Sequence, residues 1–480
     1  MPTVGAEKIV LRPGQEMLNN MVREFRFIME GWIAVRRGTF ICLCVSLFGL
    51  LFVAADIARA AEVITLEDAI GRALKNNSYV KSRGYGVQAS KEDLNASTGA
   101  FFPRFFFTES FTRGDYNSYA VFTRLNQETL TFSNFLNAGT VSNFYTGISV
   151  EMPLLVPELF AARNMKKVSF LSGLKAFDRF KEEIAFTVFT TYLSVLNTRA
   201  VQELAAKAHE EARELHRVAK AKIARGMGLL SDELRAFVYL KEKEASLIKA
   251  ENDLHLARMG LSLLLSEETL YDVAPFDALA SLPLPPLDEA LTESMKNRSD
   301  YLSDEYQAQH ASHNLSLQRS RFLPRLRLDG TYARDSQHNP LGADGDGWMG
   351  GVSLRWDIFD KTLFDDISKA RFEEMKSKEY LAQRKREIAF QINQSYLRFE
   401  EAKRRLDVAR EAVAQASESF RLIKLRYENN LSTLVELLDA EVALLQAQSN
   451  AILFQSECSE AAGRALFSAG LLLSRLPGAP

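Results

Sequence analysis

Few residues in this chain are spaced for chemistry, and those few point away from catalysis. His209 and His216 stand seven apart. On a helix that is ~10 Å along the axis, too far to share one metal ion. The run Gly342-Ala343-Asp344-Gly345-Asp346-Gly347 alternates acids and glycines as a calcium loop does. It lacks the trailing glutamate of such a site, so it reads as a surface turn. Glu436 and Asp439 are three apart and share a face of any helix that holds them. Two carboxylates so placed can attract cations, and they can equally be an ordinary solvated pair of helix acids. The sequence offers no nucleophile with a base, no metal-ligand cluster and no phosphate-binding glycine loop. The expectation is a protein that is not an enzyme and uses no cofactor or metal.

The elements that would position these residues come in two copies. A shift of 221 residues lays Leu66 to Phe107 on Leu287 to Leu328, and Phe101-Phe102-Pro103-Arg104 falls on Phe322-Leu323-Pro324-Arg325. The shift then drops to 204: Gly147 lands on Gly351, Glu183 on Glu387 and Tyr192 on Tyr396. A duplicated chain reports a duplicated structural unit. The residues lost between copies lie between Phe107 and Gly147, which gives the first copy a longer loop. The division expected is a signal-peptide region at 1–60, a first repeat at 61–268, a linker at 269–286, a second repeat at 287–470 and a short tail at 471–480. A net charge of −2 over 480 residues gives no sign of a nucleic-acid partner.

Arg36-Arg37 precede an apolar run from Thr39 to Ala55, and Ala58-Arg59-Ala60 offers a small-x-small cleavage site. This is the pattern of a secretory signal peptide, with Met29 an alternative start and an uncleaved single span the competing reading. Cys42 and Cys44 lie in that run, so Cys458 alone remains in the exported chain and no disulfide framework exists.

Each copy opens with a helix, from Leu66 to about Ala100 and from Leu287 to about Phe322, stopped by Pro103 and Pro324. Period-two stretches follow. Val352, Leu354, Trp356 and Ile358 oppose Ser353, Arg355 and Asp357, and Leu326, Leu328 and Tyr332 oppose Arg325, Arg327, Asp329 and Thr331. Phe144, Thr146, Ile148, Val150 and Met152 alternate with Tyr145, Gly147, Ser149 and Glu151. Phe105, Phe107 and Phe111 do the same, though Glu109 interrupts their apolar face. Strands of this length, apolar on one face and polar on the other, suit a membrane β-barrel; a soluble half-buried hairpin is the alternative. Four strands close nothing, since about eight is the practical minimum, so a barrel must be shared between chains.

Very long helices come next, from about Val156 to Gly226 and from about Phe364 to Asn430. Phe399, Ala402, Leu406, Ala409, Val413, Ala416, Phe420, Ile423 and Tyr427 recur at spacings of three and four, which is coiled-coil packing. A second seam runs from Leu437 through Ala440, Leu444 and Cys458 to Ala465, where Cys458 reads as a small buried residue. Arg225-Gly226-Met227-Gly228 and Glu428-Asn429-Asn430-Leu431 interrupt these helices, because glycine and asparagine tolerate a left-handed backbone. Each copy thus ends in a helical hairpin whose tip points away from the strands.

Residues about 61–470 resemble the TolC/OprM-type outer-membrane efflux proteins. The resemblance rests on the duplicated opening Leu-x-x-Ala-Ile-x-x-Ala-Leu-x-x-Asn, the Pro-Arg before each strand pair, and the tip run from Tyr427 through Asn430 and Glu436 to Asp439. It implies a mainly α fold with a transmembrane β-barrel part: two repeats of two strands plus long coiled-coil helices, and a homotrimer forming a 12-stranded barrel on a periplasmic α-helical tunnel. It implies an outer-membrane channel-tunnel, the passive exit duct of a tripartite efflux pump or a type I secretion system. Its partners would be a periplasmic adaptor and an inner-membrane pump or ABC exporter. Glu436 and Asp439 map onto acids that ring the tunnel constriction. Tyr427 and Asp232 map onto a closing contact, and Ser231 and Ser432 stand where relatives carry an arginine-based second link. Arg225, Gly226, Gly228, Asn429 and Asn430 form the tips that would dock the adaptor. Serines at 78 and 299 depart from the family's proline, and no lipidated cysteine follows Ala60. The other reading, a periplasmic coiled-coil adaptor held by an uncleaved N-terminal span, explains the hairpins but not the amphipathic strands.

Overall fold

The computed structural model describes residues 62–137, 139–278 and 282–475; the expected signal peptide and the start at Met29 lie outside them. A short strand β1 (Glu62–Ile64) leads into α1 (Leu66–Asn76) and α2 (Ser78–Gly99). The first hairpin is β2 (Arg104–Gly114) and β3 (Val141–Leu155), with α3 (Asn117–Asn126) and α4 (Phe132–Leu136) in its loop. Then come α5 (Pro157–Ala224), α6 (Leu230–Leu265) and β4 (Tyr271–Val273). The second copy gives α7 (Leu287–Asn297), α8 (Ser299–Ser320), β5 (Arg325–Ser336), β6 (Gly345–Arg355), α9 (Lys361–Glu428), α10 (Leu434–Ala469) and the short α11 (Leu472–Arg475).

The opening helix of each copy is two helices, not one. Asn77 breaks the first because its side chain accepts from the N–H groups of Tyr79 and Val80, diverting donors from the preceding turn. In the second copy Arg298 stands at the break, 2% exposed. Its guanidinium pairs with Asp300 and donates to Gln391 Oε1 at 3.2 Å and to the Ser468 carbonyl at 2.9 Å. One buried cation thus ties α8, α9 and α10 together.

The helices α5 and α9 are each 68 residues long, on the order of 100 Å. On α9 the seam residues Ala402, Leu406, Ala409 and Tyr427 are buried while their neighbours face outward. Alanine at these positions lets α9 and α10 approach closely. Cys458 is fully buried against Ala402 and Leu406, and burial pushes its thiol pKa up.

The main core is a belt around the helices, where Ile64, Ile70, Phe189, Leu261, Ile388 and Leu466 meet. Matched tyrosines fasten it. Tyr192 donates to the Ala274 carbonyl at 2.7 Å and Tyr396 to the Pro285 carbonyl at 2.8 Å, each tying the chain between repeat elements to a long helix. Gly463 is required there, because a Cβ would overlap the Phe189 ring.

The four long strands form one antiparallel sheet in the order β2-β3-β5-β6, so the two hairpins join through β3 and β5. β2 and β6 are its edges. Among the described residues no helix is long and apolar enough to cross a membrane.

Candidate functional site

The two tips share one geometry. Gly226 has φ +70 and Asn430 φ +58, the left-handed conformation that glycine and asparagine adopt most readily. Met227 N–H reaches back to the Lys222 carbonyl at 2.9 Å, and Leu431 N–H to the Arg426 carbonyl at 2.8 Å. Both helices therefore end in the same Schellman closure. The helices that leave the tips differ. Thr433 caps α10 by accepting from Glu436 N–H at 3.3 Å, whereas Leu229 begins α6 without a side-chain cap. Arg225, Gly226, Gly228, Asn429 and Asn430 are all exposed at the ends of the hairpins.

Asp232 and Glu436 occupy the same repeat position, in the first turn of their helices. There a carboxylate also complements the helix dipole. The next turn reverses charge between copies, with Arg235 in the first and Asp439 in the second. Glu436 and Asp439 are exposed side by side, while Leu434, Leu437 and Ala440 turn into the hairpin. The second copy thus presents two adjacent acids where the first presents an acid and a base.

Tyr427 is buried against Ala219, Ala236, Leu434 and Leu437. Burial raises its phenol pKa, and the Asp232 carboxylate adds to the rise. Among the described residues no hydrogen bond joins Tyr427 to Asp232, and none joins Ser231 to Ser432. Beside that apolar packing, a polar contact between the two hairpins comes from Lys222. Its ammonium lies 4.1 Å from the centre of the Tyr427 ring and donates to Asn430 Oδ1 at 3.1 Å. Sequence reading missed this residue, because a lysine near a helix end looks like any solvated lysine.

It also missed Glu441, only 3% exposed. This carboxyl lines a cavity of about 270 Å³ under the tip, with Glu211, Leu215, Phe420, Lys424 and Tyr427. Burial holds the Glu441 pKa above its ordinary value, and nearby Tyr239 is pushed up as well, chiefly by its own burial. The histidines share nothing: His216 lies 3.7 Å from Glu233 and beside the Phe237 ring. Of the acid–glycine run only Gly342 to Asp344 is a turn, since Gly345, Asp346 and Gly347 already pair in β6. Asp344 holds that turn by accepting from Gln337 N–H at 2.6 Å and Ser336 Oγ at 3.1 Å.

The sheet register sorts the strand residues into two faces. Phe107, Ile148, Tyr332 and Trp348 form one row, and Met152, Leu328 and Val352 another, all on one face. Phe107, Ile148, Trp348 and Val352 are exposed. The other face carries Thr108, Ser149, Glu151, Asp329, Thr331 and Ser353. Glu109, which interrupts the apolar alternation, belongs to a polar row with Thr146, Arg334 and Asp346. That row crosses the otherwise apolar face, and Phe106 and Met349 fall on the otherwise polar one. One chain therefore presents a sheet mainly apolar on one side and mainly polar on the other, carried on long helical hairpins whose first helices span ~100 Å.

A sequence model of one family, described as outer membrane efflux protein, matches residues 69–267 and 290–466. The chain belongs to the outer membrane efflux protein family. It is an outer-membrane efflux channel, a conduit and not an enzyme. Solved structures share its fold. The CmeC outer membrane channel of Campylobacter jejuni aligns with a TM-score of 0.70 at 15% identity, covering 85% of this efflux protein and 86% of CmeC. The open state of the MtrE outer membrane channel of Neisseria gonorrhoeae gives 0.69 at 17%, covering 85% and 89%. The outer membrane protein VceC of Vibrio cholerae gives 0.68 at 14%, covering 84% and 96%. No curated protein sequence matches.

Proposed function

We propose that three chains close their sheets edge to edge into a 12-stranded outer-membrane barrel, with the long helices continuing it as a tunnel through the periplasm. The observation that carries this reading is the single sheet with an apolar face, a polar face and two unpaired edges, each hairpin running directly into a helix of 68 residues. Two chains would give eight strands, and a barrel of that size is filled by its own side chains; twelve leave a lumen. Trp348 in β6 and Trp356, one residue past its end, stand eight residues apart, ~27 Å for extended chain and ~20 Å along the membrane normal at ~40° tilt. That is close to the ~25 Å apolar band between aromatic girdles.

The duct is passive. Its tips, with the exposed Gly226 and Asn430, dock a periplasmic adaptor, and an inner-membrane pump or ABC exporter supplies the energy. Glu436 and Asp439 from three chains put six carboxylates around the tunnel's narrow end, a ring that attracts cations and repels anions. Tyr427, Asp232, Ser231 and Ser432 lie at the contact between hairpins that opens and closes that end.

Membrane fractionation with a heat-dependent gel shift tests the assembly: an outer-membrane trimer is expected, and an inner-membrane monomer would refute it. In planar bilayers, Glu436→Ala with Asp439→Ala should weaken cation selectivity and block by divalent cations. Unchanged selectivity would remove both acids from the constriction.

A further inference from the structure

The longer loop of the first hairpin is a folded insert, and it lies on the polar face of the sheet. Val141 packs against Ala120 of α3, both fully buried. A Cβ on Gly114 would meet the Tyr119 ring at 3.8 Å, and one on Gly345 would overlap the Asn126 carbonyl oxygen. Register puts Gly114 opposite Val141 and Gly345 opposite Asp335, all on the polar side. Gln127, 1% exposed, locks the far end of α3 by donating to the Ser142 carbonyl and to Asn143 Oδ1, both at 2.8 Å. Asn143 in turn donates to the Asp335 carboxylate. So α3 reaches from β2 at one edge to β6 at the other. Its ten residues span ~15 Å, the width of four strands at ~4.8 Å spacing.

The insert also leaves an apolar surface uncovered. Phe122 and Leu125 of α3 are exposed, and so are Phe132, Phe135 and Leu136 of α4. α4 is held by a capping box between Thr131 and Asn134, so the insert is a built element. In the trimeric barrel the polar face lines the lumen. Twelve strands at ~4.8 Å spacing and ~40° tilt make a wall of radius ~12 Å, and a helix is ~10 Å thick. Three helices lying on that wall at one height leave an opening of a few ångströms.

We propose that the three inserts meet around the barrel axis and form an apolar constriction at the outer mouth. It is separate from the acidic one at the tips, and it rests on the trimeric-barrel reading above. The occupant of each exposed apolar face is the same insert of the neighbouring chains. An aperture lined by Phe122 and Leu125 dewets readily, so it resists ions and hydrophilic solutes entering from outside and passes cargo that can shed its water.

Thiol labelling from outside intact cells tests this in a Cys458→Ala background, itself the unlabelled control. Thr108→Cys lies on the polar face below the insert and Val352→Cys on the apolar face. Two variants open the mouth. Residues 115–140 are replaced by Asn-Gly, which suits a two-residue hairpin turn because Gly114 already pairs with Val141. Gly345→Val keeps the insert but pushes α3 off the sheet. A polyethylene-glycol maleimide should label Thr108→Cys about tenfold faster or more in either variant than with the native insert. Equal rates in all three backgrounds overturn the constriction. Labelling of Val352→Cys as fast as Thr108→Cys would instead show that the two faces are not lipid and lumen, and would overturn the barrel reading with it.

Discussion

Replacing Lys222 with methionine should open the tunnel tips. The ammonium makes a polar link between the two hairpins of one chain, over the Tyr427 ring at 4.1 Å and onto Asn430 Oδ1 at 3.1 Å. A cation over an aromatic face is worth ~0.5–1 kcal/mol at an exposed site. A hydrogen bond from a charged donor adds ~1.5 kcal/mol at most here, because Asn430 is open to solvent. Together the link is worth ~1–2 kcal/mol per chain. If it exists only in the closed arrangement, its loss shifts the open-to-closed ratio by ~5–30-fold. Methionine keeps the packing of the aliphatic stem, so the change isolates the charge. The assay is single-channel recording in planar bilayers, read as open probability, with the heat-resistant trimer band as a control for assembly. Tyr427→Phe keeps the ring and removes the hydroxyl, so it should stay near wild type. An unchanged open probability for Lys222→Met refutes the reasoning. So does a Tyr427→Phe variant that opens as far, since closure would then depend on the hydroxyl near Asp232.

Glu441→Gln should stabilise the tip, and increasingly so as pH rises. The native state holds the Glu441 proton more tightly than the unfolded chain does, so the wild type loses stability as pH climbs above 4.5 toward the raised value. Glu211, Tyr239, Lys243 and Lys424 are the charged or titratable groups around it, and a thermal midpoint difference that stays flat with pH would count against the buried acid. Gly463→Val should cost ~1–3 kcal/mol by forcing the Phe189 ring aside. Gly71→Ala, with open space at its Cβ, should be neutral or stabilising by up to ~1 kcal/mol. Thermal unfolding of the two purified trimers checks both, and equal midpoints would refute the close approach at Gly463.

Periodic features were readable from sequence because local spacing fixes them. The three–four alternation from Phe399 to Tyr427 gave the buried stripe of α9, and period two gave the sheet faces. Gly226 and Asn430 marked both tips because few other residues adopt their backbone. Buried polar groups were not readable. Arg298 and Glu441 are residue types normally found at the surface. Partners on three helices make the burial of Arg298 tolerable, while Glu441 keeps a buried oxygen unpaired and is held by its raised pKa instead. Lys222 gained meaning from residues more than two hundred positions away. The insert helices stayed hidden because α3 packs on the sheet with Ala120, Thr123 and Gln127, a stripe too polar to signal a helix. Glu109 looked like an error in an apolar strand until register placed Arg334 and Asp346 in its row.

The free edges of β2 and β6 carry a consequence for inheritance. Under the proposed closure every chain hands its β6 to the next chain's β2, so one defective edge leaves the whole ring open. A proline in the middle of β2 would make such an edge. Cells carrying equal amounts of normal and altered chain would then build about one intact ring in eight, if chains assort at random. A mutation in a single gene copy would silence most of the channels made from the healthy one. The same arithmetic turns an altered chain, supplied deliberately, into a genetic inhibitor of the entire conduit.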